Sequence, residues 1–279
     1  MVMSGKMNEL QQVDLEIVKE VVEICDEHNL TYYMIGGTFL GAIRHKGFIP
    51  WDDDVDLGMP RDDYEKFLEV ASSNLSNHLQ VVNYKTDSTY MYYITRIRDV
   101  RTKVVETRIG NDGKYTHASI DIFPLDGSPN NTVLRNLYFF RVMFHRAMTS
   151  LCYKDSIDPD RKRGLLERIF LRVLTLLPVE RLFDARKQKD KIDALMRSHK
   201  YYDSEYVGCL MGAYRTNEML RRNIFGEGEI YNFENVRLRG PEKHDEFLTC
   251  LYGDYMKLPP VEERKTHFKI IDMNCDDKG

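Results

Sequence analysis

The feature that most limits what this chain can fold into is a block of four carboxylates. Asp52-Asp53-Asp54-Val55-Asp56 runs without a break into the apolar Leu57-Gly58-Met59. Val55–Met59 reads as a strand, and strand side chains alternate between faces, so Asp54 and Asp56 fall on the same face. Two carboxylates held that close repel unless a cation lies between them. Hard oxygen donors with open positions suit Mg²⁺ or Mn²⁺ bridged to phosphate oxygens. The spacing counts against a calcium loop: with Asp52, Asp54 and Asp56 as its first, third and fifth ligands, Leu57 would stand where such a loop requires glycine. A solvated acidic turn would account for Asp52 or Asp53.

Upstream, Thr31–Ile35 reads as a short buried strand, broken by Gly36-Gly37. Thr38 is placed to cap a short helix through Arg44. Glycines between a strand and a helix let backbone N–H groups approach an oxyanion, and the helix dipole favours the same anion. An ordinary strand-to-helix turn gives the same pattern. Arg44 and Lys46 follow the turn, where they could meet donor phosphates or lie in solvent. Trp51, the one tryptophan, could stack on a base, face a cationic headgroup or pack in the core.

Ser119-Ile120-Asp121-Ile122-Phe123 places a lone carboxylate in an apolar strand, with Pro124 expected to end it. An isolated buried carboxylate is costly, so Asp121 needs a partner. Beside the pair it could ligate metal or take the proton of an attacking hydroxyl. The candidate site is therefore Asp54, Asp56 and Asp121, with Gly36, Gly37, Thr38, Arg44, Lys46 and Trp51 around the donor.

The rest of the chain predicts an α+β fold. Asn8–Asn29 is an amphipathic helix, and Arg61–Leu75 is another. Strands are expected at Leu79–Tyr84, Met91–Ile97 and Lys103–Thr107, giving a mixed-sheet core. Asn130–Ser198 reads as a three-helix insertion with breaks at Asp158-Pro159 and Pro178. Strand-like pieces at Glu229–Leu238 and a helix from Glu242 to Leu251 complete the chain. These stretches divide it into a catalytic core (1–127), a basic helical segment (128–200) and a C-terminal part completing the core domain (201–279).

The net charge is -4, which argues against a general nucleic-acid binder, yet 128–200 carries 16 basic against 8 acidic residues. Five scattered cysteines without a C-x-x-C pair argue against a zinc site and a disulfide framework. No signal peptide or membrane span is legible, so a cytoplasmic protein is expected.

The run GGTFLGAIRHKGFIPWDDDVDLGMPRDDYEKF, followed by IDIFPLDG and later by YGDYMKLPP, resembles the LicD family of phosphotransferases, whose domain recurs in fukutin-related proteins. The likeness is dense over Thr31–Gly127 and sparser over Asn223–His267. It implies a nucleotidyltransferase-type fold, with Gly36-Gly37, Asp54/Asp56 and Asp121 as its strand-end glycines, D-x-D and third carboxylate. It also implies CDP-alcohol donors, CDP-choline or CDP-ribitol among them, and a sugar hydroxyl of teichoic acid or lipopolysaccharide as acceptor. Two rivals stay open: a nucleotidylyltransferase acting on a small acceptor, and a non-catalytic nucleotide-binding protein.

Two stretches within 133–177, Val133–Leu151 and Leu165–Leu177, are apolar but interrupted by arginines, with Arg161-Lys162-Arg163 between them. Arginine in the hydrocarbon core costs about 2.5–3.5 kcal/mol, so spanning is disfavoured. Peripheral contact with the inner membrane face, where a lipid-linked glycan acceptor would lie, and a helical hairpin packed on the core are both consistent with the pattern.

Overall fold

A computed structural model describes residues 7–106, 115–153, 183–264, 266 and 268–272. The elements run α1 (Glu9–Glu27), β1 (Tyr33–Met34), α2 (Gly36–Arg44), β2 (Asp56–Pro60), α3 (Arg61–Asn74), β3 (Leu79–Val82), β4 (Thr95–Asp99), β5 (Lys103–Glu106), β6 (Ser119–Gly127) and α4 (Thr132–Cys152). After α4 come α5 (Ala185–Met196), β7 (Tyr206–Gly208), a 3₁₀ turn (Arg215–Glu218), β8 (Leu220–Arg221) and α6 (Arg222–Phe225). Last are β9 (Glu229–Phe233), β10 (Val236–Gly240), α7 (His244–Tyr252) and β11 (Phe268–Asp272). The expected breaks at Asp158-Pro159 and Pro178, the apolar stretch Leu165–Leu177 and the Arg161–Arg163 cluster lie outside the described residues.

The main sheet orders its strands β1-β2-β6-β4-β3, and β7 extends β6 toward β8. Only β2 and β6 pair in parallel among these, so the sheet is mixed, as expected. α1 begins with a capping box: Asn8 accepts from Gln11 N–H while the Gln11 side chain accepts from Asn8 N–H. Its apolar stripe, Leu15, Ile17, Val18, Val21 and Ile24, is buried against a core that includes Ile97, Ile120 and Ile122. That core also takes Tyr138 and Val142 from α4, Ile192 and Met196 from α5, and Phe225, Phe233 and Phe247 from the C-terminal part.

Pro124 does not end its strand; β6 continues to Gly127. Asp121 N–H donates to Val55 on the β2 side, so position 124 turns its nitrogen to the opposite edge. There β4 pairs no further than Ile122 and β7 begins only at Asp126, so no ladder bond is lost. The strand expected from Met91 starts at Thr95 instead. Tertiary ties hold the preceding turn: Tyr93 hydroxyl donates to Asp193 at 2.8 Å, and Lys189 donates to the Tyr90 carbonyl.

A buried ionic cluster fastens α5 to the sheet. Arg61 forks onto Asp126 of β6, with Nε 2.8 Å from Oδ1 and Nη2 2.5 Å from Oδ2. Arg61 also reaches Asp193 of α5 at 3.2 Å, and Asp193 receives Lys85 and Arg197. A planar guanidinium satisfied on both edges is the form in which a buried charge can be held.

Candidate active site

The register of three neighbouring strands builds the site. Asp56 on β2 lies opposite Asp121 on β6, and Asp121 lies opposite Arg96 on β4. Arg96 Nε donates to Asp121 Oδ1 at 2.7 Å, and the guanidinium stacks on Tyr92, 4.4 Å from its centroid. The partner expected for Asp121, which is half-buried here, is therefore an arginine from the adjacent strand.

Asp54 is not in the strand, because the β2 ladder starts at Asp56. Asp54 stands in the irregular segment before it and lines two cavities. The first, of about 290 Å³, is bounded by Gly36, Gly37, Asp52, Asp56, Glu218 and Tyr252 among others. The second, of about 320 Å³, is bounded by Arg96, Asp121, Arg146 and Lys189 among others. Asp54, Phe123, Gly212 and Ala213 belong to both walls.

The glycines have a local reason. Gly36 opens α2 with φ +55°, and a Cβ there would meet Asp56 Oδ2 at 2.9 Å. A Cβ on Gly37 would meet Asp52 Oδ2 at 2.5 Å. The side chains nearest this helix start are thus carboxylates, which the dipole favours. Thr38 is not the cap; Ile35 holds that position, and Thr38 Oγ1 accepts from Asp56 N–H at 2.8 Å. Thr38 therefore fixes the strand that carries Asp56.

Arg44, Lys46 and Trp51 line neither cavity. Arg44 donates to the Tyr255 carbonyl at 2.8 Å, Lys46 is exposed at φ +64°, and Trp51 lies under Arg264, 4.8 Å from its ring centroid. Asp53 is buried rather than solvated, and accepts from Phe268 N–H, which holds β11. Asp52 faces the first cavity.

Electrostatically the cluster is under load. Burial, then Asp54, Asp121 and Asp52, hold the Asp56 carboxyl well above the ordinary carboxylate range. Asp14, on the buried side of α1, is raised by burial and then by Asp54, Asp53 and Asp121, and neither of its oxygens has a hydrogen-bond partner. Such a donor set fits a hard divalent cation, whose charge would offset the repulsion. Among the described residues, however, no three carboxylate, imidazole or thiolate groups converge closely enough to hold one. The trio expected from the sequence is not preassembled in this arrangement: Asp121 is turned to Arg96.

The sequence reading missed Asp14, Arg96, Arg146 and Glu218. An acid on the apolar stripe of α1 was a legible signal for Asp14. The others reach the site only through strand pairing and chain return.

Residues 29–163 match the family model described as LicD/FKTN/FKRP, nucleotidyltransferase domain. The chain carries a LicD-family domain. The LicD stretch holds Gly36, Gly37, all four aspartates of the 52–56 block, Arg96 and Asp121, whereas Glu218 and Tyr252 lie beyond it. The lipopolysaccharide cholinephosphotransferase LicD of Haemophilus influenzae is 29% identical over 267 residues, covering 94% of this chain and 95% of that protein. The human and mouse proteins named ribitol 5-phosphate transferase FKRP are 44% identical over 48 residues, 17% of this chain and 10% of theirs.

Proposed function

We propose that the chain transfers phosphocholine from CDP-choline to a sugar hydroxyl of a surface glycan such as lipopolysaccharide or teichoic acid, using a nucleotidyltransferase-type fold. The observation that carries this reading is the double exposure of Asp54, which lets a donor lying across both cavities bring its phosphates to one carboxylate. Likeness to a lipopolysaccharide cholinephosphotransferase along nearly the whole chain supports the substrate class.

The hydroxyl oxygen forms a bond to the phosphorus that carries choline, the bond from that phosphorus to the CMP oxygen breaks, and CMP leaves. A carboxylate of this cluster accepts the hydroxyl proton. Arg96, Arg146 and Lys189 give the second cavity the cations that an anionic nucleotide needs. Asp52, Asp54, Asp56 and Asp121 would hold Mg²⁺ or Mn²⁺, which would supply charge stabilisation to the transferring phosphoryl group.

The deciding test is product analysis. With CDP-choline, Mg²⁺ and a glycan acceptor, mass spectrometry should find phosphocholine on the acceptor and free CMP. An acceptor that gains a nucleotide instead would refute this reading in favour of a nucleotidylyltransferase.

A further inference from the structure

Glu218 closes the 3₁₀ turn Arg215–Glu218 and lines the first cavity together with Asp52, Asp54 and Asp56. Its Oε1 accepts Tyr214 N–H at 2.7 Å. Among the described residues no lysine or arginine forms an ion pair with it. Burial raises its carboxyl against the opposing Tyr214 N–H and the charge of Arg146, whose Nη1 is committed to the carbonyls of Leu210 and Gly212. Gly212 leaves room for the carboxylate, since a Cβ there would collide with both of its oxygens.

Aromatic rings complete the surroundings. Tyr252 meets Tyr214 edge to face, with centroids 5.3 Å apart and planes at 80°. The Tyr252 hydroxyl is raised by burial first, then by Tyr214, Asp56, Asp52 and Glu218. It therefore lies within the field of both the aspartate block and Glu218. Phe225 and Phe247 add apolar surface to the same cavity.

We propose that Glu218, Tyr214 and Tyr252 form the subsite for the cationic headgroup of the donor, and so select a quaternary ammonium over a polyol. This inference rests on the reading above and deepens it. A quaternary ammonium cannot donate a hydrogen bond; aromatic faces and a nearby carboxylate recognise it through diffuse charge. A polyol would have to pair each hydroxyl with a donor or acceptor, and the Phe225 and Phe247 surfaces of this cavity offer none. Burial pushes the Glu218 carboxyl up to about 7, so an unshared negative charge there is disfavoured until a cation arrives. With the headgroup in the first cavity and the phosphates near Asp54, the nucleotide extends toward the cations of the second.

The test pairs binding with turnover on the full chain. Calorimetry with Mg²⁺ should show phosphocholine binding at least tenfold tighter than glycerol phosphate, with that preference lost in Glu218→Gln and reduced in Tyr214→Leu. In assays the KM for CDP-choline should rise about tenfold in Glu218→Gln with a smaller change in kcat, while CDP-glycerol is used as before. Equal losses for both donors, or no preference for phosphocholine in the parent protein, would overturn the subsite. Tyr214 is 41% exposed, so its replacement reports on the subsite even if Glu218→Gln does not fold. Transfer of a nucleotide in the product assay would refute the proposed function and leave the binding comparison to judge the subsite alone.

Discussion

Arg96 of β4 reaches across the sheet to Asp121 of β6, its Nε 2.7 Å from Oδ1. In this arrangement an arginine occupies the carboxylate that the sequence marked for metal or proton chemistry. If Asp121 works in transfer, Arg96 positions it. Arg96→Met should then lower kcat roughly tenfold, less than Asp121→Asn, which should cost roughly a hundredfold with Asp54→Asn and Asp56→Asn. Steady-state rates check the order, and circular dichroism checks that each variant folds. Near-parental activity in any aspartate variant would remove that residue from the site.

Gly37 tests the packing at the start of α2. Gly37→Val must displace Asp52, whose Oδ2 lies 2.5 Å from the new Cβ position. Activity should fall at least tenfold, while stability changes by about 1 kcal/mol or less, since Gly37 does not require a positive φ. Paired rate and urea-unfolding measurements separate the two effects.

The Arg61–Asp126 pair predicts a large stability effect away from the chemistry. Asp126→Asn leaves a buried guanidinium without its main counter-charge and should destabilise the fold by about 3–5 kcal/mol. Replacing both partners, Arg61→Met with Asp126→Leu, should recover part of that loss. Urea titrations read both numbers.

Glu218 gives a pH dependence of defined sign. A glutamate titrates near 4.5 in the unfolded chain but about 7 when folded here. At lower pH than both values each state holds the proton, and the group is neutral to stability. As pH rises through this window the unfolded chain ionises first, so stability falls, and the penalty is complete above about 7. Glu218→Gln should therefore be more stable than the parent at about pH 8, by about 1–3 kcal/mol after solvent screening, and no more stable at about pH 4. Thermal melts at both pH values test the crossover.

The membrane question divides along α4. Tyr138, Val142, Met148 and Leu151 are buried, so one side of the helix packs as a hairpin would. Val133, Leu137, Phe140 and Phe144 are exposed. No helix among the described residues is long and apolar enough to cross a membrane. Peripheral contact predicts that anionic vesicles retain the protein at low salt, and that Phe140→Glu with Leu137→Glu weakens retention. Equal recovery with anionic and neutral vesicles would refute it.

Strand periodicity made Asp56 legible, and an acid alone in an apolar strand made Asp121 legible. Both signals are local. Arg96 was not legible, because its role depends on which strand pairs beside β6. Glu218 was not, because it stands 97 residues beyond Asp121 in sequence and enters the cavity only when the chain returns. Pro124 misled the reading for a related reason: its missing N–H matters only if a neighbour faces it, and sequence does not say where a neighbour ends. Arg44, Lys46 and Trp51 were chosen by nearness in sequence, and the nine-residue helix that starts at the glycines and ends at Arg44 carries them away from the cavities.

The stretch matched by the family model begins at residue 29, after α1 has ended. Yet α1 contributes Leu15, Ile17, Val18 and Val21 to the core, and its Gln11 amide donates to the Asp52 carbonyl at 2.8 Å. From the other end, Phe225, Phe233 and Phe247 fill the same interior. What the family model matches is therefore smaller than what folds. A graft of 29–163 into another protein would carry the aspartates but not the helix and aromatic residues that pack around them.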